Sequence, residues 1–166
     1  PSDPCIAPPD MDLILWRHAH AGDPWDDPEE DLLRPLSAKG ERQAARMASW
    51  LDQHLPDTTR VLVSPALRAQ QTARALQRSF KTVEALSPVG TVETLLLAAR
   101  YPVSREAVLI VGHQPTLGRV MAHLLAATEP QQAWSVRKGA VCWLRTRERE
   151  GRVQLTLHAL LGPDLV

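Results

Sequence analysis

The stretch Leu13–Pro24, LILWRHAHAGDP, contains an apolar run that stops abruptly at Arg17 and His18. The four residues before Arg17 are bulky and apolar, which predicts a short buried strand. The polar, Pro-containing segment that follows, residues 21–35, is predicted to be a loop. The strand therefore delivers a cation and an imidazole to one edge of a sheet. The stretch alone leaves open whether His18 or His20 is the working histidine.

The composition suits one compact domain and excludes several classes of partner. The chain has 166 residues, of which 44% are hydrophobic, and we expect a single domain over residues 11–166. Residues 1–10, with four prolines, are predicted to be a disordered leader. Nineteen Lys and Arg balance nineteen Asp and Glu, so neither nucleic acid nor a membrane is an expected partner. No segment resembles a membrane span or a signal peptide, and a cytoplasmic location is expected.

Short apolar runs alternate with longer amphipathic stretches along the chain. After the first strand, further strands are predicted at residues 60–63, 81–86, 107–111, 140–146 and 152–159. Helices are predicted from Ser37 to before Pro56, and at residues 64–80, with Ser64 as cap, 91–100 and 114–127. This alternation predicts an α/β fold, a three-layer α/β/α sandwich. Its central sheet is expected to be mostly parallel, with an antiparallel strand near the C-terminus.

Four chemically active side chains follow the predicted parallel strands. Arg17 and His18 follow the first strand, Arg68 follows the second and His113 follows the fourth. Ligands of such sheets bind at the carboxyl ends of the strands, so we expect these four residues at one rim.

Two arginines and two imidazoles suit a phosphoryl group. Each guanidinium can donate parallel hydrogen bonds to phosphoryl oxygens, and two of them indicate a dianion. A neutral imidazole could attack phosphorus in line and form a covalent phosphohistidine. A second, protonated imidazole would offset charge on the equatorial oxygens. Such chemistry requires no metal and no cofactor.

The same motifs resemble the histidine phosphatase superfamily, also called phosphoglycerate mutase-like. Its Arg-His-Gly motif corresponds to Arg17-His18-Ala19, its second arginine to Arg68 in SPALRAQQTA, and its second histidine to His113 in VGHQPTL. The chain length and the segment LRPLSAKGERQA are similar to the small SixA-like branch. Three motifs in order at strand ends are fairly specific.

The resemblance implies a phosphoglycerate mutase-like fold and a role for each matched residue. His18 is implied to be the nucleophile, Arg17 and Arg68 to bind the phosphoryl group, and His113 to stabilise the transition state. The resemblance thus favours His18 over His20. It also implies a phosphorylated protein as partner, such as a histidine phosphotransfer domain.

Larger members of the superfamily carry an acid after the third strand, and this sequence offers none in the matching turn. Glu84 is expected inside a strand and Glu93 inside a helix, while the turn Ser87–Gly90 has no carboxyl group. General acid catalysis commonly contributes about 100-fold or more, so expulsion of an alkoxide should be slow. Phosphohistidine, whose imidazole leaves readily, is therefore the favoured substrate. Asp23 is a candidate substitute acid.

Several alternatives remain open. The same chemistry could act on a small phosphomonoester, or the site could bind phosphate or phosphohistidine without turnover. His18 and His20 could in principle ligate a metal, although metal sites of that kind need further ligands. Otherwise His20 and Asp23 are expected to lie at the loop mouth and contact substrate. The sequence gives no sign of an oligomeric state.

Overall fold

A six-stranded sheet forms the centre of the molecule in the computed structural model, which describes residues 10–126 and 134–166. The strands are β1 Met11–Arg17, β2 Arg60–Val63, β3 Lys81–Thr82, β4 Val108–Gly112, β5 Val141–Arg149 and β6 Arg152–Leu161. They lie in the order β3-β2-β4-β1-β5-β6. The first four strands are parallel, and β5 runs antiparallel to both β1 and β6. The predicted α/β class and mostly parallel sheet are confirmed.

Helices cover both faces of this sheet. They are α1 Pro28–Asp31, α2 Ala38–His54, α3 Leu67–Arg74, α4 Val92–Ala99 and α5 Thr116–Ala126. Because side chains alternate along a strand, Leu13 and Leu15 of β1 pack with residues of α4 and α5, whereas Ile14 and Trp16 pack with residues of α2 and α3. The core therefore has two halves, one on each side of the sheet, as a three-layer sandwich requires.

The parallel strands end at the same level, which forms the rim. Arg17 of β1 pairs with Gly112 of β4, and the backbone N–H of His18 continues the ladder by donating to the Gly112 carbonyl at 3.1 Å. The N–H of Ser64 likewise donates to the carbonyl of Val111 at 3.1 Å. The carboxyl ends of β1, β2 and β4 therefore lie next to each other, and so do the segments that follow them.

The third predicted strand is much shorter than expected. Only Lys81–Thr82 pair with β2, and a 3₁₀ turn follows at Glu84–Leu86. The turn places Leu86 in the core on the α4 side, where it is 3% exposed. Burial of this leucine thus ends the strand, and the expected position of Glu84 inside a strand is wrong.

Two other segments differ from their predictions. The loop over residues 21–35 contains α1, which Asp27 caps by accepting a hydrogen bond from the Glu29 N–H at 2.9 Å. Helix α3 begins at Leu67, later than predicted, and its cap residue Ala66 supplies no side-chain bond. The prediction of Ser64 as the helix cap is therefore wrong, because its hydroxyl accepts from the Ala66 N–H, before the helix begins, and contacts Nε2 of His113.

Some predictions fall on residues that the structure does not describe. Residues 1–9 of the predicted leader and Ala127 at the end of the last predicted helix lie outside the described ranges. Asp10, the final leader residue, forms an ion pair with Arg149 of β5 at 3.2 Å. None of the described helices is both long and apolar enough to cross a bilayer.

A close approach between α2 and the segment after β1 fixes the start of the loop. The backbone N–H and the hydroxyl of Ser37, the cap of α2, both donate to the carbonyl of His20, at 3.0 and 3.2 Å. A Cβ atom on Gly40 would lie 1.9 Å from that carbonyl oxygen. Only glycine therefore allows the first turn of α2 to lie against His20.

We expect Gly40→Ala to lower the free energy of unfolding by about 1–3 kcal/mol, because the added methyl group forces backbone apart. A glycine inside a helix ordinarily gives the opposite sign, about 1 kcal/mol of stabilisation on change to alanine. Urea unfolding at neutral pH measures the difference. Ser49→Ala, at an exposed position of the same helix, is the control. A Gly40→Ala protein as stable as the wild type would contradict the close approach.

Candidate active site

The carboxyl ends of β1, β2 and β4 border a cavity of about 270 Å³. Four of the six predicted site residues, Arg17, His18, Arg68 and His113, line it together. The other lining residues are Gly22, Pro24, Asp31, Arg34, Pro88, Gln114 and Lys138. The structure thus brings together both imidazoles and both arginines that the sequence placed at one rim.

The tautomer of His18 is fixed by the backbone carbonyl of the next residue. Its Nδ1 lies 2.8 Å from the carbonyl oxygen of Ala19. A carbonyl oxygen can only accept, so Nδ1 carries the hydrogen and the lone pair of a neutral ring is on Nε2. The N–H of Ala19 in turn donates to Oγ1 of Thr72 at 3.1 Å, and that hydroxyl donates to the Arg68 carbonyl at 2.7 Å. Helix α3 therefore holds the residue that orients His18.

Burial and nearby cations keep His18 neutral. The ring is 5% exposed, and burial, followed by the charges of Arg68, Arg17 and Arg34, lowers its pKa to about 3. The bond from Nδ1 to the Ala19 carbonyl opposes this shift without reversing it. At neutral pH, Nε2 therefore keeps its lone pair.

His113 faces His18 across the cavity, with ring centroids 5.2 Å apart and planes at 53°. Its Nε2 lies 2.7 Å from Oγ of Ser64, which also accepts from the Ala66 N–H at 3.2 Å. Burial lowers the pKa of His113 to about 2, with further contributions from His18 and the arginines. Its Nδ1 is buried, and no polar partner for it is present among the described residues. Burial and the surrounding cations therefore keep the second imidazole neutral, and one of its nitrogens has no partner among the described residues.

Each of the two predicted arginines uses a terminal nitrogen to bind the backbone and leaves its Nε without a partner among the described residues. Arg17 donates from one terminal nitrogen to the carbonyl of Val136 at 2.6 Å, and Arg68 donates to the carbonyl of Asp31 at 2.8 Å. Nε of each is buried and has no partner within residues 10–126 and 134–166. Unsatisfied buried donors are costly, so these nitrogens suit an anion with several oxygens.

A third arginine, Arg34, completes the cationic wall. Its Nε donates to Oδ1 of Asp31 at 2.8 Å, and one terminal nitrogen donates to the carbonyls of Ala21 and Gly22 at 2.8 and 3.1 Å. Only 6% of the residue is exposed. Arg34 thus fastens the segment after His18 to helix α1. With Lys138, four cationic side chains line the cavity.

Asp31 is the one carboxylate that lines the cavity within residues 10–126 and 134–166, and it is held as an anion. Its Oδ1 accepts from Arg34 and from the Trp25 N–H, and its Oδ2 lies 3.4 Å from a terminal nitrogen of Arg68. The hydrogen bond from Arg34 is the largest of the causes that lower its pKa, and the charge of Arg68 adds to it. A carboxyl group in this setting orients two guanidiniums and is poorly suited to donate a proton at neutral pH.

His20 and Asp23 are not part of the cavity lining. Nδ1 of His20 lies 2.6 Å from Oγ of Ser37, so the ring is engaged with the cap of α2. Asp23 is exposed, although its neighbours Gly22 and Pro24 do line the cavity. The structure therefore does not bring these two predicted substrate contacts together with the other four residues.

Sequence reasoning missed Asp31, Arg34 and Lys138 as cavity residues. A signal existed for the first two, because Asp31 and Arg34 are three residues apart, the spacing of an ion pair on a helix. The prediction of an unstructured loop over residues 21–35 concealed that spacing. For Lys138 the sequence offers no comparable signal, since backbone hydrogen bonds of the following residues, Gly139 and Ala140, with Arg17 and His18 hold its segment beside the cavity.

The donors of the cavity fit an anion better than a metal cation. Within residues 10–126 and 134–166, no group of three or more His, Cys, Asp or Glu lies close enough to hold a metal. His18 and His20 do not converge, because His18 lines the cavity while His20 contacts Ser37. Four cations would also repel a divalent metal.

Comparisons with known proteins agree with this geometry. A model of the histidine phosphatase superfamily (branch 1) matches residues 13–96. The phosphohistidine phosphatase SixA of Escherichia coli (strain K12) is 33% identical over 129 residues, which are 72% of this chain and 78% of that protein. A SixA homolog of Haemophilus influenzae is 28% identical over 148 residues, 80% of this chain and 88% of the homolog.

The fold agrees as well. A solved structure of the protein histidine phosphatase SixA in complex with tungstate superposes with a TM-score of 0.67 at 27% identity. The match covers 93% of this chain and 99% of that one. The family match spans half of the sequence, and the relatives extend it over most of the rest. The chain therefore belongs to the histidine phosphatase superfamily and, within it, to the SixA-like branch of phosphatases.

Proposed function

We propose that this protein hydrolyses phosphohistidine on a partner protein, without a metal, through a covalent intermediate on His18. The observation that carries the proposal is the pairing of two neutral imidazoles, 5.2 Å apart, in a cavity with four cations. Among the described residues its one carboxylate is Asp31, which is committed to two arginines. Within residues 10–126 and 134–166, such a site supplies a nucleophile and binds a phosphoryl dianion, yet supplies no acid for the leaving group.

The cationic wall supports phosphoryl binding. The unpaired Nε atoms of Arg17 and Arg68 are two donors that suit phosphoryl oxygens, and the unpaired Nδ1 of His113 becomes a third when that ring is protonated. The similar SixA structure holds tungstate, a tetrahedral oxyanion with the shape and charge of phosphate. We therefore assign Arg17 and Arg68 to the phosphoryl group in this chain.

In the first step, Nε2 of His18 attacks phosphorus in line while the bond from phosphorus to the substrate nitrogen breaks. A phosphohistidine that carries a proton on its other ring nitrogen leaves as neutral imidazole, so no enzyme acid is needed. The ring of His18 gains positive charge and retains its hydrogen on Nδ1, where the Ala19 carbonyl accepts it. The bond that fixes the tautomer thus also stabilises the phosphorylated ring.

In the second step, water attacks phosphorus, the bond to Nε2 breaks and His18 returns to its neutral form, with the proton of the water passing to phosphate or solvent. The approaching dianion adds negative charge beside His113 and raises the pKa of that ring from its lowered value. Once protonated, His113 can donate from Nε2 to Ser64 and from Nδ1 to a phosphoryl oxygen. The ring would then offset charge in both transition states.

A protein substrate fits the size of the cavity. Its volume of about 270 Å³ is near the lower end of the range of about 300–1,000 Å³ that is typical of small-molecule sites. A phosphoryl group and the ring that carries it would enter, while the rest of the substrate would stay outside. A phosphorylated protein, such as a histidine phosphotransfer domain, fits this requirement.

We expect fast release of phosphate from a phosphohistidine-bearing protein in the presence of chelator and slow release from an alkyl phosphate. His18→Ala should lower kcat by about 1,000-fold or more, since it removes the nucleophile. The rate of phosphate release, measured with each substrate separately, gives both the preference between substrates and the effect of the substitution.

His123→Ala, at an exposed position of α5, is the control and should keep the wild-type rate. Loss of activity in chelator would favour a metal-dependent hydrolase. Equal turnover of alkyl phosphates would favour a small-molecule phosphomonoesterase, and tight binding without turnover would favour a binding module.

We expect Asp31→Asn to lower kcat/KM by roughly 10- to 100-fold for every substrate, because hydrogen bonds between charged groups contribute about 1.5–3 kcal/mol. A series of aryl phosphates with leaving groups of different pKa measures the effect. The slope of log kcat/KM against leaving-group pKa should be the same in variant and wild type.

Glu30→Gln, an exposed neighbour in α1, is the matched control and should be silent. If Asp31→Asn instead lost activity only on substrates with poor leaving groups, Asp31 would be a general acid, and the reason to favour phosphohistidine would fail.

A further inference from the structure

A second, strongly basic groove adjoins the catalytic cavity. It has a volume of about 220 Å³. Its lining residues are Lys39, Arg42, Gln43, Arg46, Arg137, Lys138, Pro163 and Asp164. Lys138 also lines the catalytic cavity, so the two are continuous through this one side chain.

The positive charge of the groove has little compensation from the protein itself. Lys39, Arg42 and Arg46 are spaced three and four residues apart, so they share one face of α2. All three are exposed, and none forms an ion pair within the described residues. The one carboxylate, Asp164, lies 3.6 Å from a nitrogen of Arg137, and both side chains are more than half exposed. Such a surface pair contributes little.

This concentration of charge is a local feature, because the whole chain has a formal net charge of zero. Like charges on one helix face repel each other and slightly destabilise the helix. Clustered charges of one sign raise the rate of association with a partner of opposite sign. The groove is therefore suited to bind an anionic surface.

The rim of the cavity also has an acidic part. The exposed carboxylates Asp23, Asp26, Asp27, Glu29 and Glu30 lie in the segment that borders the cavity through Gly22, Pro24 and Asp31. Burial lowers the pKa of the His20 ring, the charges of Lys138 and Lys39 lower it further, and the charge of Asp23 opposes them. An acidic partner is therefore repelled by residues 23–30 and attracted towards α2.

We propose that this groove docks an acidic segment of the protein whose phosphohistidine enters the catalytic cavity. The inference rests on the proposed function and specifies its partner. From Lys39 to Arg46 the helix rises about 10 Å, a length that about three extended residues cover. A short run of Asp or Glu near the phosphohistidine, in sequence or in space, matches the groove in both length and charge.

Synthetic phosphohistidine peptides test the proposal. The peptides carry a run of three Glu, three Gln or three Lys beside the phosphohistidine. Each run is placed either on the N-terminal or on the C-terminal side, which gives about six peptides in all. We expect kcat/KM for the better acidic peptide to exceed that for its Gln counterpart by about tenfold at low salt. The preference should shrink in 0.5 M salt, at roughly a 4 Å Debye length.

The double variant Arg42→Glu with Arg46→Glu should abolish the preference for the acidic peptide. The variant should hydrolyse phosphoimidazole, which is too small to reach the groove, at the wild-type rate. An equal rate would show that the fold and the cavity are intact. Arg105→Glu with Arg119→Glu, two exposed arginines outside the groove lining, makes the same change in charge and should keep the preference.

Each outcome decides between the proposals. Equal turnover of all peptides by the wild type, or an unchanged preference in the groove variant, would overturn the docking site and leave the proposed function standing. Failure to hydrolyse phosphoimidazole and every peptide would overturn the proposed function and the docking site with it. A groove variant that loses activity only on small polyphosphorylated molecules would show that the groove serves a different ligand.

Discussion

The parallel pairing of β1 with β4 is the constraint on which the site depends. Because Arg17 lies opposite Gly112, the next residue of each strand is a histidine, and the ladder extends to His18 through the Gly112 carbonyl. Two imidazoles from segments almost one hundred residues apart in the chain thereby face each other at 5.2 Å. A shift of the register by one residue would move one ring to the other face of the sheet.

Buried positive charge is the second constraint. Three guanidiniums and two imidazoles share one small cavity, and desolvation and mutual repulsion lower the pKa of both rings. One carboxylate, Asp31, links Arg34 and Arg68, and under the proposed function a bound phosphoryl group offsets the remaining charge. In the proposed mechanism, the cations that favour a phosphoryl dianion also add to burial in keeping Nε2 of His18 unprotonated, so anion binding and nucleophilicity share part of their electrostatic origin.

The sequence predicts the strand ends well because they are marked by strong local patterns. An apolar run followed by Arg17-His18, or by Gly112-His113, indicates a buried strand. It also indicates that the polar residues after the run lie at the carboxyl end of that strand. The short helix α1 carries no comparable pattern, and its acid–base pair Asp31–Arg34 is recognisable only once the helix is known. The residue at which β3 ends depends on how Leu86 packs in the core. The hydrogen bonding of the Ser64 hydroxyl depends on its contact with His113. Both are tertiary contacts that a local pattern cannot encode.

The position of the phosphoryl group on the enzyme tests the central claim most directly. The enzyme would be mixed with excess phosphohistidine peptide, quenched in alkali within one turnover because the phosphorus–nitrogen bond is labile in acid, and examined by mass spectrometry and phosphorus NMR. We expect one phosphoryl group on Nε2 of His18, since Nδ1 is held by the Ala19 carbonyl. A phosphoryl group on Nδ1 or on His113, or release of phosphate with no labelled enzyme at any time, would contradict it.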